Sequence, residues 1–199
     1  MFPCVNDLPL DPFDRFAALL EEAKRAIPVD PNAMVLATVG EDGRPAARVV
    51  LLKGFDRRGF VFYTNLESRK AHDLAAHPFA ALCFHWRPLE QQVRIEGAIE
   101  RVTDAEADAY FATRARGSQV GAWASKQSQA LPSRVELEAR VAEVEARFAG
   151  EAVPRPAFWS GYRLKPDRIE FWTGKPSRLH ERERYVHQGD TWTTVRLYP

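Results

Sequence analysis

The sequence predicts an α+β protein, an antiparallel β-barrel or sandwich with a few helices packed outside. Three observations carry this expectation. At least six segments rich in Val, Ile, Phe, Tyr and Trp are bounded by turn residues. The links between the early ones are only a few residues long, too short for a parallel crossover. A few further segments carry the 3.6-residue apolar spacing of helices, and strands in the majority place those helices on the outside.

In chain order, DPFDRFAALLEEAKRAI (11–27) reads as an amphipathic helix with Phe13, Phe16, Leu20 and Ile27 along one side. MVLATV (34–39) and AARVVLLKGF (46–55) read as strands joined by the turn EDGRP. FVFYT (60–64) follows the turn DRRG as a third strand, and the three together predict a meander. SRKAHDLAAHP (68–78) is a short helix stopped by Pro78. FAALCFHW (79–86) and QQVRIEGAIERV (91–102) supply two more strands. Thr103 with Glu106, and Ser133 with Glu136, fit capping boxes that open helices. The second of these helices sets Leu137, Val141, Val144 and Phe148 at helical spacing, a face for the core or for a partner. AGEAVPRPAFW (149–159) is a proline-rich loop within one fold. WSGYRL (159–164), DRIEFW (167–172) and the hairpin RYVHQGDTWTTVRL (184–197), turning at Gly189–Asp190, return to strands. The expected organisation is a flexible N-terminal arm, residues 1–10, and a single domain, residues 11–199.

A chain of 199 residues, 45% apolar and 28% charged, has the composition of an ordinary globular domain. No apolar run approaches the roughly 20 residues of a membrane span. MFPCVNDLPLDPFD lacks the basic start and apolar stretch of a secretory signal, so a cytoplasmic address is expected, with no membrane partner. A net charge of +1 offers no basic surplus for nucleic acid. Cys4 and Cys83 lie far apart and suggest neither a disulfide framework nor a zinc site; Cys83, inside FAALCF, is expected to be a buried free thiol.

Several chemistries lack their motifs. The chain has no G-x-G-x-x-G, no G-x-x-x-x-G-K-[ST] and no G-x-S-x-G. His72 and His77 are five apart, off the shared helical face of an i, i+4 pair, and no metal is expected. Four polar stretches remain: RVVLLK (48–53), YTNLESRK (63–70), RARGSQVGAWASKQS (114–128) and SRLHERER (177–184). Any one of them alone reads as solvated surface. Together they attach cations to strongly apolar strands, and Ser68, Arg69 and Lys70 open a helix. Two cations at a helix N-terminus oppose its dipole at a cost of about 0.3–1 kcal/mol each. A phosphate there would accept hydrogen bonds from backbone N–H groups and both side chains, which offsets that cost. The stretches therefore predict a polyanion pocket at one end of a sheet.

Two geometric questions follow from the spacing. Arg48 and Lys53 are five apart and face opposite sides of a regular strand. Sharing a ligand then requires a bulge or a ligand lying across the strand end; otherwise the two faces serve different parts of one site. Tyr110, Arg114 and Ser118 stand at i, i+4 and i+8, a stripe suited to a phosphate if the helix continues, but Gly117 is expected to end it.

The segments RVVLLK (48–53), VFYTNLESRKA (61–71), EQQVRIEG (90–97), YFATRARGSQVGAWASKQS (110–128), FW (171–172), RLHER (178–182) and RLYP (196–199), in this order and spacing, resemble the pyridoxamine 5′-phosphate oxidase family. The resemblance runs from about Asp11 to the C-terminus. It implies an antiparallel FMN-binding split β-barrel with peripheral helices, and a homodimer with FMN at its interface. It also implies oxidation of pyridoxamine 5′-phosphate or pyridoxine 5′-phosphate to pyridoxal 5′-phosphate, with O2 as acceptor and H2O2 as product. By the same resemblance, Arg69 and Lys70 hold the FMN phosphate. Arg48, Val49, Val50, Leu51, Leu52 and Lys53 run along the flavin, with Tyr63 and Thr64 nearby. Gln92, Gln127, Ser128, Trp172 and Arg182 complete the cofactor shell, some from the other subunit. Lys53, Tyr110, Arg114 and Ser118 meet the substrate phosphate, and Arg178 and His180 cover the pyridine ring as the catalytic pair.

One departure stands out. Members of the family often carry a basic N-terminal segment whose Arg and Tyr close over the substrate. Nothing before Arg15 is basic and no Tyr precedes Tyr63, so that lid is expected to be missing or replaced. The rival readings are a phenazine-type split-barrel oxidoreductase and a non-catalytic binder of flavin or pyridoxal phosphate. Tyr110, Arg114, Ser118, Arg178 and His180 together argue against the first, since a substrate without phosphate has no use for that set. Arg178 and His180 argue against the second.

Overall fold

The computed structural model describes residues 11–199; the expected arm at 1–10, Cys4 and the lid region lie outside the described residues. Among the described residues, nine antiparallel strands form a half-barrel flanked by five α-helices.

Helix α1 (Pro12–Ala26) starts where Asp11 accepts a hydrogen bond from the Phe13 N–H and Pro12 supplies the preset φ of a first turn. It buries Phe13, Phe16 and Leu20, with Ile27 as the partly buried cap residue. Phe16 is fully enclosed and meets Phe55, Phe60 and Phe84 edge-on at 4.9–5.1 Å, which plugs the inside of the half-barrel.

Strands β1 (Ala33–Val39) and β2 (Pro45–Leu51) form one hairpin, and β3 (Gly54–Asp56) and β4 (Gly59–Asn65) a second. The expected meander is therefore corrected. The strand order is β2-β1-β5-β6-β7-β4-β3, so the two hairpins lie at opposite ends of the sheet. Between them the chain leaves strand geometry at Leu52 and Lys53. The Leu52 N–H donates to Asn32 O beside β1, and the Lys53 N–H donates to Val61 O on β4. Two consecutive residues thus tie the ends of the curled sheet together without pairing β2 to β4.

Strands β5 (Phe79–Trp86) and β6 (Gln91–Arg101) fill the middle. The two segments expected after the proline-rich loop are one strand, β7 (Trp159–Thr173), which pairs with β6 along most of its length. The register slips between Glu96 and Gly97, and Asp167 is left as the extra residue opposite them. A bulge tolerates Pro166, which has no N–H to donate. A Cβ on Gly97 would lie 2.0 Å from the Lys165 carbonyl oxygen, so the close approach needs glycine. On its other side β7 pairs first with β4 and then with β8 (Glu181–Gln188), and β9 (Thr191–Leu197) extends β8. The sheet forks at β7.

Helix α2 (Arg69–Ala76) ends before Pro78 as expected. Helix α3 (Asp104–Ala112) opens on the complete Thr103–Glu106 capping box. It stops at Thr113, not at Gly117, because the backbone leaves helical geometry at Ala115 (ψ 141°); Gly117 lies in the first turn of α4 (Arg116–Ala124). In α5 (Arg134–Arg147), Ser133 accepts from the Glu136 N–H. Val141 and Val144 pack against a second, smaller apolar cluster of Phe111, Val120, Phe148, Val153 and Trp159. The α5 face therefore serves the core, although Leu137 is only partly covered. Arg155 fastens the proline-rich loop to α3 through Asp104 and Asp108. Cys83 is a free thiol but half-buried rather than buried, since its strand position turns it to the outer face beside Arg94.

Candidate active site

The gap between β2 and β4, roofed by α3 and α4, is a cavity of about 540 Å³. Its size lies within the roughly 300–1,000 Å³ of small-molecule sites. Arg48, Lys53, Lys70 and Arg114 all line it, and among the described residues no carboxylate does. Four cations converge on it, and only Arg48 has a carboxylate partner, Asp73 behind the wall, which makes it an anion site.

The spacing problem of Arg48 and Lys53 is resolved by the break after Leu51. Lys53 lies past the strand end, so both residues reach the same cavity, with Val49, Val50 and Leu51 along its wall. β2 is an edge strand, so one side of its backbone is not engaged in the sheet. Leu52 departs from the expected set: its side chain is buried in the main core and does not line the cavity.

At the entry of α2, Ser68 occupies the N-cap position but does not cap. Its hydroxyl instead donates to Asn65 O at 2.7 Å. The leading N–H groups of the helix are therefore left without a side-chain acceptor. Lys70 turns back toward the cavity and donates to Gln127 Oε1 at 2.8 Å, Thr64 Oγ1 at 3.0 Å and Ser68 Oγ at 3.3 Å. Burial, and then the nearby Arg48, push the Lys70 amine below its ordinary value. Arg69 is exposed and off the cavity wall, although its charge is felt at Arg48.

Arg48 is itself held from behind. It donates to Thr38 Oγ1 at 2.6 Å and Leu36 O at 3.2 Å, and pairs with Asp73 at 3.4 Å. Thr38 in turn donates to Asp73 at 2.6 Å. Burial lowers the Arg48 value while Asp73 works to raise it. The buried Asp73 thereby joins α2, β1 and β2 beneath the cavity.

The opposite wall is aromatic. Tyr63 stacks on Tyr110 at 4.1 Å and on Trp159 at 5.3 Å, nearly parallel to both. Gly161 makes this possible, since a Cβ there would come within 2.7 Å of the Tyr63 ring. Arg114 lies over the Trp159 ring at 4.8 Å, and its Nη1 is buried without a hydrogen-bond partner. Burial lowers its value, with no neighbouring carboxylate to oppose that. Ser118, on α4, lines the same space, so Tyr110, Arg114 and Ser118 converge despite the break between their helices.

Of the remaining expected residues, Thr64 and Gln127 line the cavity and Ser128 does not; it lies in a smaller neighbouring hollow with positive φ. Gln92, Trp172 and Arg182 sit side by side across β6, β7 and β8. His180 packs on Trp172 at 4.5 Å, with its Nδ1 accepting from the Lys175 N–H. Arg182 is oriented by Glu170 at 2.9 Å. Arg178 is exposed, with φ of 62°. None of these five lines the cavity of its own chain. The described residues therefore form two clusters, one on β2, β4 and the helices, the other on β6 to β8.

Sequence reasoning missed Thr38, Asp73, Trp159, Gly161 and Glu170. Asp73 stands four residues after Arg69, which reads as an ordinary exposed helix pair. Trp159 had a signal, an aromatic residue directly after a proline-rich loop, but no polar atom pattern attached to it.

Comparison with known proteins supplies the rest. Residues 19–148 match the family model described as pyridoxamine 5′-phosphate oxidase. Residues 159–199 match the pyridoxine 5′-phosphate oxidase C-terminal dimerisation region. A pyridoxine/pyridoxamine 5′-phosphate oxidase from Myxococcus xanthus is 68% identical over 192 residues, covering 96% of this chain and 93% of that one. One from Rubrobacter xylanophilus is 59% identical, covering 95% and 87%. Among solved structures, PhzG from Burkholderia lata, in complex with tetrahydrophenazine-1-carboxylic acid, superimposes with a TM-score of 0.91 at 36% identity, over 100% of this chain and 98% of that one. An FMN-binding protein from Nostoc punctiforme shares the fold, with a TM-score of 0.76 at 18% identity over 96% and 98%.

Proposed function

The chain belongs to the pyridoxamine 5′-phosphate oxidase family, and from that premise we propose how its residues divide the work. The protein is an FMN-dependent oxidase that converts pyridoxamine 5′-phosphate and pyridoxine 5′-phosphate to pyridoxal 5′-phosphate, with O2 as acceptor and H2O2 as product. When bound, FMN supplies the redox chemistry, taking two electrons from the substrate and delivering them to O2.

The observation that carries the residue assignment is the cavity lined by four cations and, among the described residues, by no carboxylate. Cofactor and substrate are both phosphate monoesters, and the cations fall into two groups. Lys70, Arg69 and the uncapped N–H groups of α2 hold the FMN phosphate, with Thr64 and Gln127 fixing the Lys70 amine. Arg48 and the edge of β2 run along the flavin. Lys53, Tyr110, Arg114 and Ser118 hold the substrate phosphate, and Arg114 brings a charge that no carboxylate among the described residues neutralises.

Arg178, His180 and Arg182 lie in the segment matching the dimerisation region, away from the cavity of their own chain. We assign them to the site of a partner subunit, so that a homodimer assembles each site from the cavity of one protomer and the Gln92–Trp172–Arg182 cluster of the other. The bond from the Lys175 N–H to His180 Nδ1 leaves Nε2 as the proton-bearing atom of the neutral ring, able to donate to substrate. Arg178 supplies the cation that stabilises charge on the pyridine ring.

The test is to purify the protein, record its visible spectrum and add pyridoxamine 5′-phosphate in air. A yellow protein that forms pyridoxal 5′-phosphate and peroxide is expected. A preparation that takes up no FMN would overturn the cofactor assignment. Oxidation of a reduced phenazine carboxylate but not of pyridoxamine 5′-phosphate would favour the phenazine-type reading instead.

A further inference from the structure

Arg114 is held in an unusual way. Among the described residues no carboxylate pairs with it. Its guanidinium lies over the face of Trp159 at 4.8 Å and near Phe111 at 5.4 Å. Trp159 is only 6% exposed and is held by its neighbours. Phe111 meets it edge-on at 5.0 Å, and Tyr63 stacks parallel at 5.3 Å. Its backbone N–H donates to Pro156 O at 2.9 Å, and its backbone carbonyl accepts from Arg155 Nη1 at 2.8 Å.

We propose that Trp159 is the positioning residue for the substrate phosphate: its ring holds the Arg114 guanidinium by a cation–π contact and leaves its full charge unpaired for a phosphate monoester. The physical reason lies in what a carboxylate would do in its place. A buried carboxylate would orient Arg114 equally well, but it would consume the fork of donors and neutralise the charge. An aromatic face attracts the cation through its quadrupole while taking neither a hydrogen bond nor a unit of charge. Trp gives the strongest such face, which fits its presence here rather than Phe or Leu. The contrast with Arg48, backed by Asp73, is internal to the same cavity.

The inference rests on the oxidase reading, and its test separates the two. Wild type, Trp159→Phe and Trp159→Leu are loaded with FMN. The Michaelis constant for pyridoxamine 5′-phosphate is measured, together with the dissociation constant for inorganic phosphate by calorimetry. Trp159→Leu is expected to raise both constants by about tenfold, with kcat and FMN content within twofold of wild type. Trp159→Phe should fall between the two, and it carries the test alone if the Leu variant does not fold. Phosphate affinity unchanged in the variants, or lost only in step with FMN content and kcat, would overturn the inference and leave the oxidase reading intact. Wild-type protein that binds FMN but does not oxidise pyridoxamine 5′-phosphate would overturn both.

Discussion

Glu170 is a carboxylate shared by two guanidinium groups, Arg182 at 2.9 Å and Arg184 at 3.0 Å, and it is almost wholly buried. Burial alone would raise its value, but the hydrogen bonds from the two arginines outweigh that and hold it below the ordinary glutamate value of 4.5. A carboxylate depressed in the folded state contributes stability that is complete above its unfolded value and is lost as pH falls through the folded one. Glu170→Gln should therefore cost about 1–2 kcal/mol at pH 7, moderated because both arginines keep some contact with water. The gap from wild type should close as pH falls below the ordinary glutamate value of 4.5 and through the depressed one. Urea midpoints measured across that range check it; a gap that stays constant would mean that the ion pair is not the source. Arg48 and Asp73 make the same kind of contact under the cavity, where the pair couples a cavity-lining cation to helix α2.

Helix α2 carries the oddest local chemistry of the chain: cations in the first turn, no acid there, and a serine at the N-cap that bonds elsewhere. Taken alone, such a helix should be poorly anchored at its entry, since both the dipole and the unpaired N–H groups are unsatisfied. Packing compensates at its middle, where Asp73 accepts from Thr38 and Leu74 enters the core. Removing FMN should therefore speed amide exchange at the first turn, residues 69–71, while the segment around Leu74 stays protected, and should lower Tm. Unchanged exchange and Tm would remove the explanation for the two cations. By contrast α3, with a complete capping box and Arg155 bridging to Asp104 and Asp108, holds its start without a ligand.

At the scale of the molecule, the two clusters on one chain are the main consequence of the fold. β7 forks the sheet, so its first half faces the cavity across β4 and its second half carries Trp172 toward β8. A two-fold dimer in which each cavity receives the partner's cluster predicts complementation between defective chains. Lys70→Ala and Arg178→Ala homodimers should each be nearly inactive. Random mixing makes half the dimers hybrid, each with one intact site, and should restore about a quarter of wild-type activity. A mixture as inactive as its parents would mean that each site is built within one chain.

Much of this was legible in the residues because it is encoded within a few positions. Apolar periodicity located α1 and most strands, Thr103 with Glu106 marked the start of α3, and Gly189–Asp190 marked the last hairpin. The misplaced cations at 69 and 70 raised the expectation of an anion, and the motif set pointed to the family. Other features depend on residues far apart in sequence, and local pattern cannot carry them. The two early hairpins look like one meander, because only strand order reveals that β1 pairs with β5 while β4 pairs with β7. Asp73 reads as a surface acid until Thr38 and Arg48 close over it. The sequence by itself determined which chemistry the chain carries, since charge, spacing and turn residues are local properties. Only the tertiary structure decided where that chemistry converges. Burial and strand pairing brought Trp159 beneath Arg114, set Lys53 beside Arg48 across a strand break, and kept Arg178 and His180 apart from the cavity of their own chain.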